Sequence, residues 1–286
     1  MKANDVAMLF SGEDFRWQMR FERGEMRSFL APGPNSEAVL AERWRWLGAS
    51  PERYMVLTSD GIPLLDEAID LARENEALSE AQFEMLCAIR DPQERCMELG
   101  RIWEADFALL GPTATGSLIL SGGVVCFPSS WSLPEKIGKP MQSIHQPVPG
   151  LNEAIGRQID LFLGKLRPGV VWLRFNWGVV RTAELNQHPD RDLPRLTSPV
   201  RLDEAFLRIE RQALVALPGT RGVLFGIRIE QLSLAEVSKE PAAVKGLVHG
   251  LSTMDEEIAR YKGFAQVRSE IVELLQTNAT GRDSLQ

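Results

Sequence analysis

Five prolines lie in one short stretch of this chain, residues 126–150, and they limit the conformations open to it. The prolines are Pro128, Pro134, Pro140, Pro147 and Pro149. Proline fixes its own φ and restricts the residue before it. The same stretch contains His145, one of only three histidines. A segment this stiff holds an imidazole in place at little further entropy cost, so His145 is the first candidate for chemistry.

Composition and charge exclude several classes of protein. The 286 residues suffice for one large domain or two modest ones. Net charge is −7, from 32 basic and 39 acidic residues, which argues against a nucleic-acid groove. The N-terminus lacks the apolar core of a signal peptide, and no apolar run is long enough for a membrane span. Three irregularly spaced cysteines favour a reducing cytoplasm over a disulfide framework.

Apolar periodicity predicts helices in the first hundred residues and a mixed region after them. The early helices are predicted over residues 36–47, 64–77, 80–90 and 93–102. Residues 117–127 read as a β-hairpin whose tight turn is Gly122-Gly123, because glycine adopts positive φ. The later elements are a helix over 150–166, strands over 170–180 and 221–230, a loop over 186–199, a helix over 202–217 and helices within 242–275.

The histidines and one cysteine are the candidate metal ligands. A neutral imidazole at His145 suits axial ligation of heme iron, although a loop histidine that hydrogen-bonds to its neighbours would have the same local sequence. His188, in a polar loop, is the reserve ligand, and His249 is interpreted as an ordinary helix residue. Cys126 is a thiolate candidate, but a buried, unreactive strand cysteine is far more common.

Glu210 is unusual because it falls on or beside the apolar stripe of the helix predicted over 202–217. A carboxylate there needs a partner or must stay protonated. Arg174, Arg211 and Arg228 are the possible partners. The alternatives are a functional carboxylate and a structural ion pair. Arg174 and Asn176 project from one side of a predicted strand, where a guanidinium can meet an anion, or where both simply face solvent.

Some motifs are absent. The sequence has no glycine-rich nucleotide-binding motif, no serine-hydrolase elbow and no Cys-x-x-Cys or His-Glu-x-x-His metal motif. Nucleotides and iron–sulfur clusters therefore have no visible site within this chain.

Several ordered motifs resemble those of one known family. The first is Cys126-Phe127-Pro128-Ser129 with Trp131-Ser132-Leu133 and Ile144-His145, followed by Pro147-Val148-Pro149. The next are Arg174-x-Asn176-Trp177 and Arg208-x-Glu210-Arg211-Gln212, followed by Leu217-Pro218. The last are Phe225-x-Ile227-Arg228 and Tyr261-Lys262-Gly263. This order resembles the large (alpha) subunit of heme-dependent oxidative N-demethylase, or dimethylamine monooxygenase.

The resemblance implies an α+β protein with a PAS-like antiparallel sheet that binds heme b. It implies oxidation of a dimethylamine-like secondary methylamine with O2, releasing formaldehyde. Electrons would come from a reductase partner that carries NADPH, FMN and an iron–sulfur cluster, within a hetero-oligomer. We expect His145 to bind the iron, and Arg174, Asn176, Trp177 and Arg228 to contact the cofactor.

The remaining expectations concern catalysis and domain organisation. Glu210, held in place by Arg211, is expected to interact with the amine substrate or to form part of a proton path. We expect a helical region over 1–103, a heme-binding catalytic domain over 104–276 and a disordered tail over 277–286. Two alternatives stay open: a heme-binding sensor or gas-binding module without turnover, and a heme-free assembly subunit.

Overall fold

The computed structural model describes residues 3–10 and 12–283. Seven strands form one antiparallel sheet in the order β1-β5-β6-β7-β3-β4-β2. The strands are β1 (Glu22–Gly24), β2 (Met55–Leu57), β3 (Asp106–Pro112), β4 (Leu118–Val124), β5 (Val171–Val180), β6 (Phe206–Ala216) and β7 (Val223–Ser233). The predicted α+β class is therefore confirmed.

Helices pack on both faces of this sheet. They are α1 (Ala3–Val6), α2 (Met26–Leu30), α3 (Ser36–Ala49), α4 (Pro51–Tyr54), α5 (Ile62–Glu74), α6 (Glu80–Ala88), α7 (Pro92–Ile102), α8 (Met141–His145), α9 (Arg157–Leu163), α10 (Leu234–Val237), α11 (Pro241–Thr253), α12 (Glu256–Tyr261) and α13 (Arg268–Asp283). A π-helical turn over Asn152–Gly156 leads into α9. The prediction of a largely helical first hundred residues holds, but β1 and β2 come from the same region and form the two edges of the sheet.

Strand alternation divides the central sheet into two faces. One face carries Trp172, Arg174, Asn176, Arg208, Glu210 and Gln212, and we call it the Glu210 face. At one end of this face, α8, the π-helical turn and α9 cover apolar side chains such as Leu214 and Val223. The opposite face packs against the N-terminal helices through Leu173 and Ala213 and against the C-terminal helices through Ile209.

The predicted helix over 202–217 is wrong, because residues 206–216 form strand β6. The apolar residues fit a period of two as well as a helical period, and Leu207, Ile209, Ala213 and Val215 share one face of the strand. Pairing with β5 on one side and β7 on the other satisfies the backbone of β6. Only this non-local pairing distinguishes the two patterns.

The predicted hairpin turn at Gly122-Gly123 is also wrong, because both glycines lie inside β4. The chain turns instead between β3 and β4, where the Thr113 N–H donates to the Ser117 carbonyl at 2.8 Å. A Cβ atom on Gly123 would lie 2.2 Å from the Phe107 carbonyl oxygen. Glycine is needed there for close approach between strands, not for the turn.

The disordered tail over 277–286 stays a prediction, although the structure assigns helix to most of that segment. Helix α13 continues to Asp283, well into the segment 277–286 that we expect to be disordered. Residues 284–286 of that segment lie outside the described residues. The boundary between residues 103 and 104 stays a prediction.

Candidate functional site

Glu210 lies at the centre of a polar cluster on the Glu210 face. The β5–β6 register places Asn176 opposite Glu210 and Arg174 opposite Gln212. Asn176 Nδ2 donates to Glu210 Oε2 at 3.2 Å, and Gln212 Nε2 donates to the same oxygen at 2.8 Å. The Glu210 side chain is only 9% exposed. Its other oxygen, Oε1, accepts no hydrogen bond within residues 3–10 and 12–283.

Arg174 brings an unused set of donors to the same face. Its guanidinium carbon lies 5.9 Å from the centre of the Phe21 ring, and it donates no hydrogen bond to any described residue. Burial lowers the pKa of Arg174, while the negative charge of Glu210 opposes that shift. A half-buried guanidinium with free N–H groups is suited to a carboxylate or another planar anion.

His145 is the last residue of α8, the helix that follows Pro140. Burial lowers the pKa of its imidazole to about 4, assisted by the positive charge of Arg174, so the ring is neutral at pH 7. Neither ring nitrogen makes a hydrogen bond in the described part of the chain. The neighbouring Ile144 and Val148 pack into the cluster on the Glu210 face. A neutral, unpartnered imidazole next to this face has the chemistry of an axial iron ligand.

Lys262, which sequence analysis gave no role, completes the cluster from the end of α12. Its ammonium donates to the Trp177 carbonyl at 2.6 Å and to Asn176 Oδ1 at 3.2 Å. The nitrogen also lies 5.8 Å from the Trp17 ring centre and 5.9 Å from that of Trp177. Burial lowers the pKa of Lys262 to about 8, against the opposing effect of Glu210.

An open cleft of about 570 Å³ runs along the edge of β5 beside this cluster. β1 pairs only with residues 171–173, so the rest of that edge faces the N-terminal segment rather than another strand. Arg174, Asn176 and Trp177 line one side, and the aromatic rings of Phe15 and Trp17 line the other. Arg174 and Asn176 are the members of the polar cluster that line this cleft.

Two of the predicted arginines are on the other face of the sheet. Arg211 follows Glu210 in a strand, so its side chain points away from it, and its guanidinium lies 5.8 Å from the Phe29 ring centre. Arg228 pairs with Glu104 and donates to the Phe29 carbonyl at 3.0 Å. The structure therefore brings neither arginine to Glu210, because Arg211 is the next residue in the strand and Arg228 pairs opposite Arg211.

Trp177 also lies on the opposite face of β5. Its ring packs edge-to-face against Phe10, with 5.4 Å between ring centres. Trp177 contacts Lys262 of the polar cluster through its backbone carbonyl, which accepts at 2.6 Å, and through its ring, whose centre lies 5.9 Å from the Lys262 nitrogen. The Trp177 side chain packs against the apolar cluster that includes the C-terminal helices.

The other candidate ligands, Cys126, His188 and His249, have different surroundings. Cys126 is fully buried, and burial raises the pKa of its thiol to about 12, which disfavours a thiolate. His188 packs against Tyr54, with ring centres 5.7 Å apart, and its Nδ1 accepts the Asp190 N–H at 3.2 Å. His249 Nε2 lies 3.1 Å from Asp14 Oδ1.

A buried framework shapes the proline-rich stretch, and sequence analysis did not identify it. Asp106 accepts the N–H groups of Cys126 and Phe127 at 2.7 and 2.9 Å, and Arg43 pairs with it at 2.6 Å. Arg208 donates to Ser129 Oγ at 2.8 Å and to the Phe127 carbonyl at 2.8 Å. The motif that contains Arg208 was the available signal, but its spacing alone does not reveal these contacts.

The donor set fits heme better than a bare metal ion. The described residues contain no group of three or more His, Cys, Asp or Glu side chains arranged to hold a metal. A porphyrin brings its own nitrogen ligands and needs one axial ligand and partners for its carboxylates. The neutral imidazole of His145 has the chemistry for the first requirement, and the guanidinium of Arg174 has the chemistry for the second.

The sequence model of the family described as haem-dependent oxidative N-demethylase, alpha subunit-like, matches residues 65–272. The chain belongs to this family. The match includes every residue of the polar cluster as well as His145, so the family resemblance drawn from the motifs is confirmed. The name of this demethylase family indicates dependence on heme and an oxidative role. None of the helices that the structure describes is long and apolar enough to cross a membrane.

Proposed function

We propose that this protein is the heme-binding catalytic subunit of an oxidative N-demethylase that acts on a small secondary methylamine. One observation carries the proposal. A neutral imidazole without a hydrogen-bond partner lies next to the sheet face that also presents an unused guanidinium and a carboxylate with one free oxygen. These groups match the iron, the propionates and the substrate ammonium.

The protein's own residues would hold the reactants. His145 would bind the iron through a ring nitrogen, and Arg174 would bind a heme carboxylate. Glu210 Oε1 would accept an N–H of the substrate ammonium, because Oε2 already accepts from Asn176 and Gln212. The charge-assisted bond aims the amine and leaves its methyl group towards the cofactor.

Bound heme would supply O2 activation and hydroxylation of the methyl carbon, giving a carbinolamine that separates into formaldehyde and the smaller amine. One oxygen atom enters the substrate and the other leaves as water, so electrons must enter from a reductase partner. We infer that NADPH, FMN and an iron–sulfur cluster belong to that partner, and we place the complex in the cytoplasm. All three cysteines are free, as suits a reducing compartment.

The PAS-like description of the core belongs to this proposal. Its support is that α8, the π-helical turn and α9, all between β4 and β5, cover one face of a single antiparallel sheet.

The test begins with absorption spectra of the purified protein in the oxidised and reduced states, before and after hemin is added. We expect a Soret band that His145→Ala abolishes or shifts, and that the control His249→Ala leaves unchanged. Formaldehyde release from dimethylamine, reductant and O2 then identifies an enzyme. A Soret band without turnover favours the sensor alternative, whereas protein that refuses hemin favours the heme-free assembly subunit.

A further inference from the structure

Lys262 connects the C-terminal helices to the polar cluster. Its position at the unpaired edge of β5 lets one ammonium reach both the Trp177 carbonyl and the Asn176 side chain. The rings of Trp17 and Trp177 flank the nitrogen at 5.8 and 5.9 Å. Cation–π contact and two hydrogen bonds therefore hold the charged group at one point.

This contact determines how the Asn176 amide is oriented. An ammonium can only donate hydrogen bonds, so the atom of Asn176 that faces Lys262 must be the carbonyl oxygen. The amide nitrogen then points the other way, to Glu210 Oε2 at 3.2 Å. Without the ammonium, rotation of the amide by half a turn would bring an oxygen against the carboxylate.

The orientation of Asn176 in turn decides which carboxylate oxygen is available. Asn176 and Gln212 both donate to Glu210 Oε2. Oε1 is left without a hydrogen-bond donor among the described residues, and Asn176, which donates to Oε2, lines the cleft. A carboxylate with one oxygen fixed and the other open can bind an ammonium in one direction.

We propose that Lys262 is a positioning residue for the amine site: by fixing the Asn176 amide, it directs two donors to one oxygen of Glu210 and leaves the other for the substrate ammonium. This inference rests on the proposed function, because it assigns Glu210 to the amine. Lys262 itself does not contact the substrate.

The charge state of Lys262 makes the inference testable by pH. The charged groups that face it are Glu210 on β6 and Arg174 on β5, and Tyr261 precedes it in the chain. Burial lowers the pKa of Lys262 to about 8, while burial and Glu210 raise the pKa of Tyr261. Raising the pH through about 8 therefore removes the ammonium proton while Tyr261 stays protonated, and a neutral amine no longer fixes the amide.

The experiment measures binding of dimethylammonium chloride to the heme-loaded protein by titration calorimetry. At pH 7 we expect Lys262→Met to weaken binding about tenfold, the effect of losing one oriented hydrogen bond. The exposed Lys245→Met on α11 removes the same charge and should leave binding within about twofold. In turnover, Lys262→Met should raise KM more than it lowers kcat.

A second measurement, on the wild-type protein, does not depend on how the variant folds. Its affinity for dimethylammonium, which stays protonated, should fall between pH 7 and 9.5, and tetramethylammonium, which has no N–H to donate, should bind weakly throughout. Affinity for dimethylammonium that is flat across this range, or unchanged in Lys262→Met, overturns the role of Lys262 while the proposed function stands. Wild-type protein that binds heme but no amine at any pH overturns both.

Discussion

Asn176 Nδ2 lies 3.2 Å from Glu210 Oε2, across two neighbouring strands whose register places these residues directly opposite each other. The pair joins an element recognised as a strand from sequence, β5, to one mistaken for a helix, β6. Sheet pairing therefore gives Glu210 an amide partner on its own face, in place of the arginine that follows it in the chain.

Glu210→Gln should remove the negative charge that binds the substrate ammonium and keep the size of the side chain. Hydrogen bonds to charged groups contribute about 1.5–3 kcal/mol, so the affinity for dimethylammonium should fall by a factor of about 10–100. The heme spectrum should not change. Glu153→Gln, on an exposed position of the π-helical turn, is the matched control. Unchanged affinity in Glu210→Gln would assign the carboxylate to structure alone.

Arg174→Gln should weaken hemin binding about tenfold or more, because a charge-assisted hydrogen bond to a propionate is lost. Hemin titration followed at the Soret band measures this directly. Arg167→Gln removes an exposed guanidinium and should have little effect. If both variants bind hemin like the wild type, Arg174 does not hold the cofactor.

Asp106→Asn should destabilise the fold, because it leaves the Arg43 guanidinium buried without its counter-charge. Breaking a buried ion pair costs about 3–5 kcal/mol, whereas an exposed pair contributes about 1 kcal/mol or less. Asp66→Asn, which breaks the exposed pair with Arg95, is the control. Urea unfolding of both variants measures the difference, and equal losses would contradict the framework role of Asp106.

The free energy of unfolding should depend on Lys262 at alkaline pH. Its pKa is about 8 in the folded state against 10.5 for the ordinary side chain, so between these values the unfolded chain binds a proton that the folded chain does not. Stability contributed by this group therefore rises with pH across that window, by at most about 3 kcal/mol. Comparing wild type with Lys262→Met by urea unfolding at pH 7 and pH 10 isolates the effect. A constant difference would mean that Lys262 is not buried.

The sequence by itself determined the family, because the order of its motifs along the chain can be recognised without knowing where they lie in space. It also determined the local elements where the spacing of apolar residues and the positions of proline and glycine point to the same structure. Strand β5 and helix α7, which begins at Pro92, are examples. It identified His145 from the stiffness of the surrounding prolines and Glu210 from its apolar neighbours in the sequence. In the structure Glu210 lies on one face of the sheet, and His145 lies next to that face.

Tertiary structure alone decided the partners of those residues. The apolar spacing around Ile209 fits a helix and a strand equally, and only pairing with β5 and β7 selects the strand, which puts Arg211 on the face opposite Glu210. Lys262 reaches Asn176 across 86 positions of the chain. Such contacts depend on non-local packing and strand register, which side-chain periodicity within one segment cannot encode.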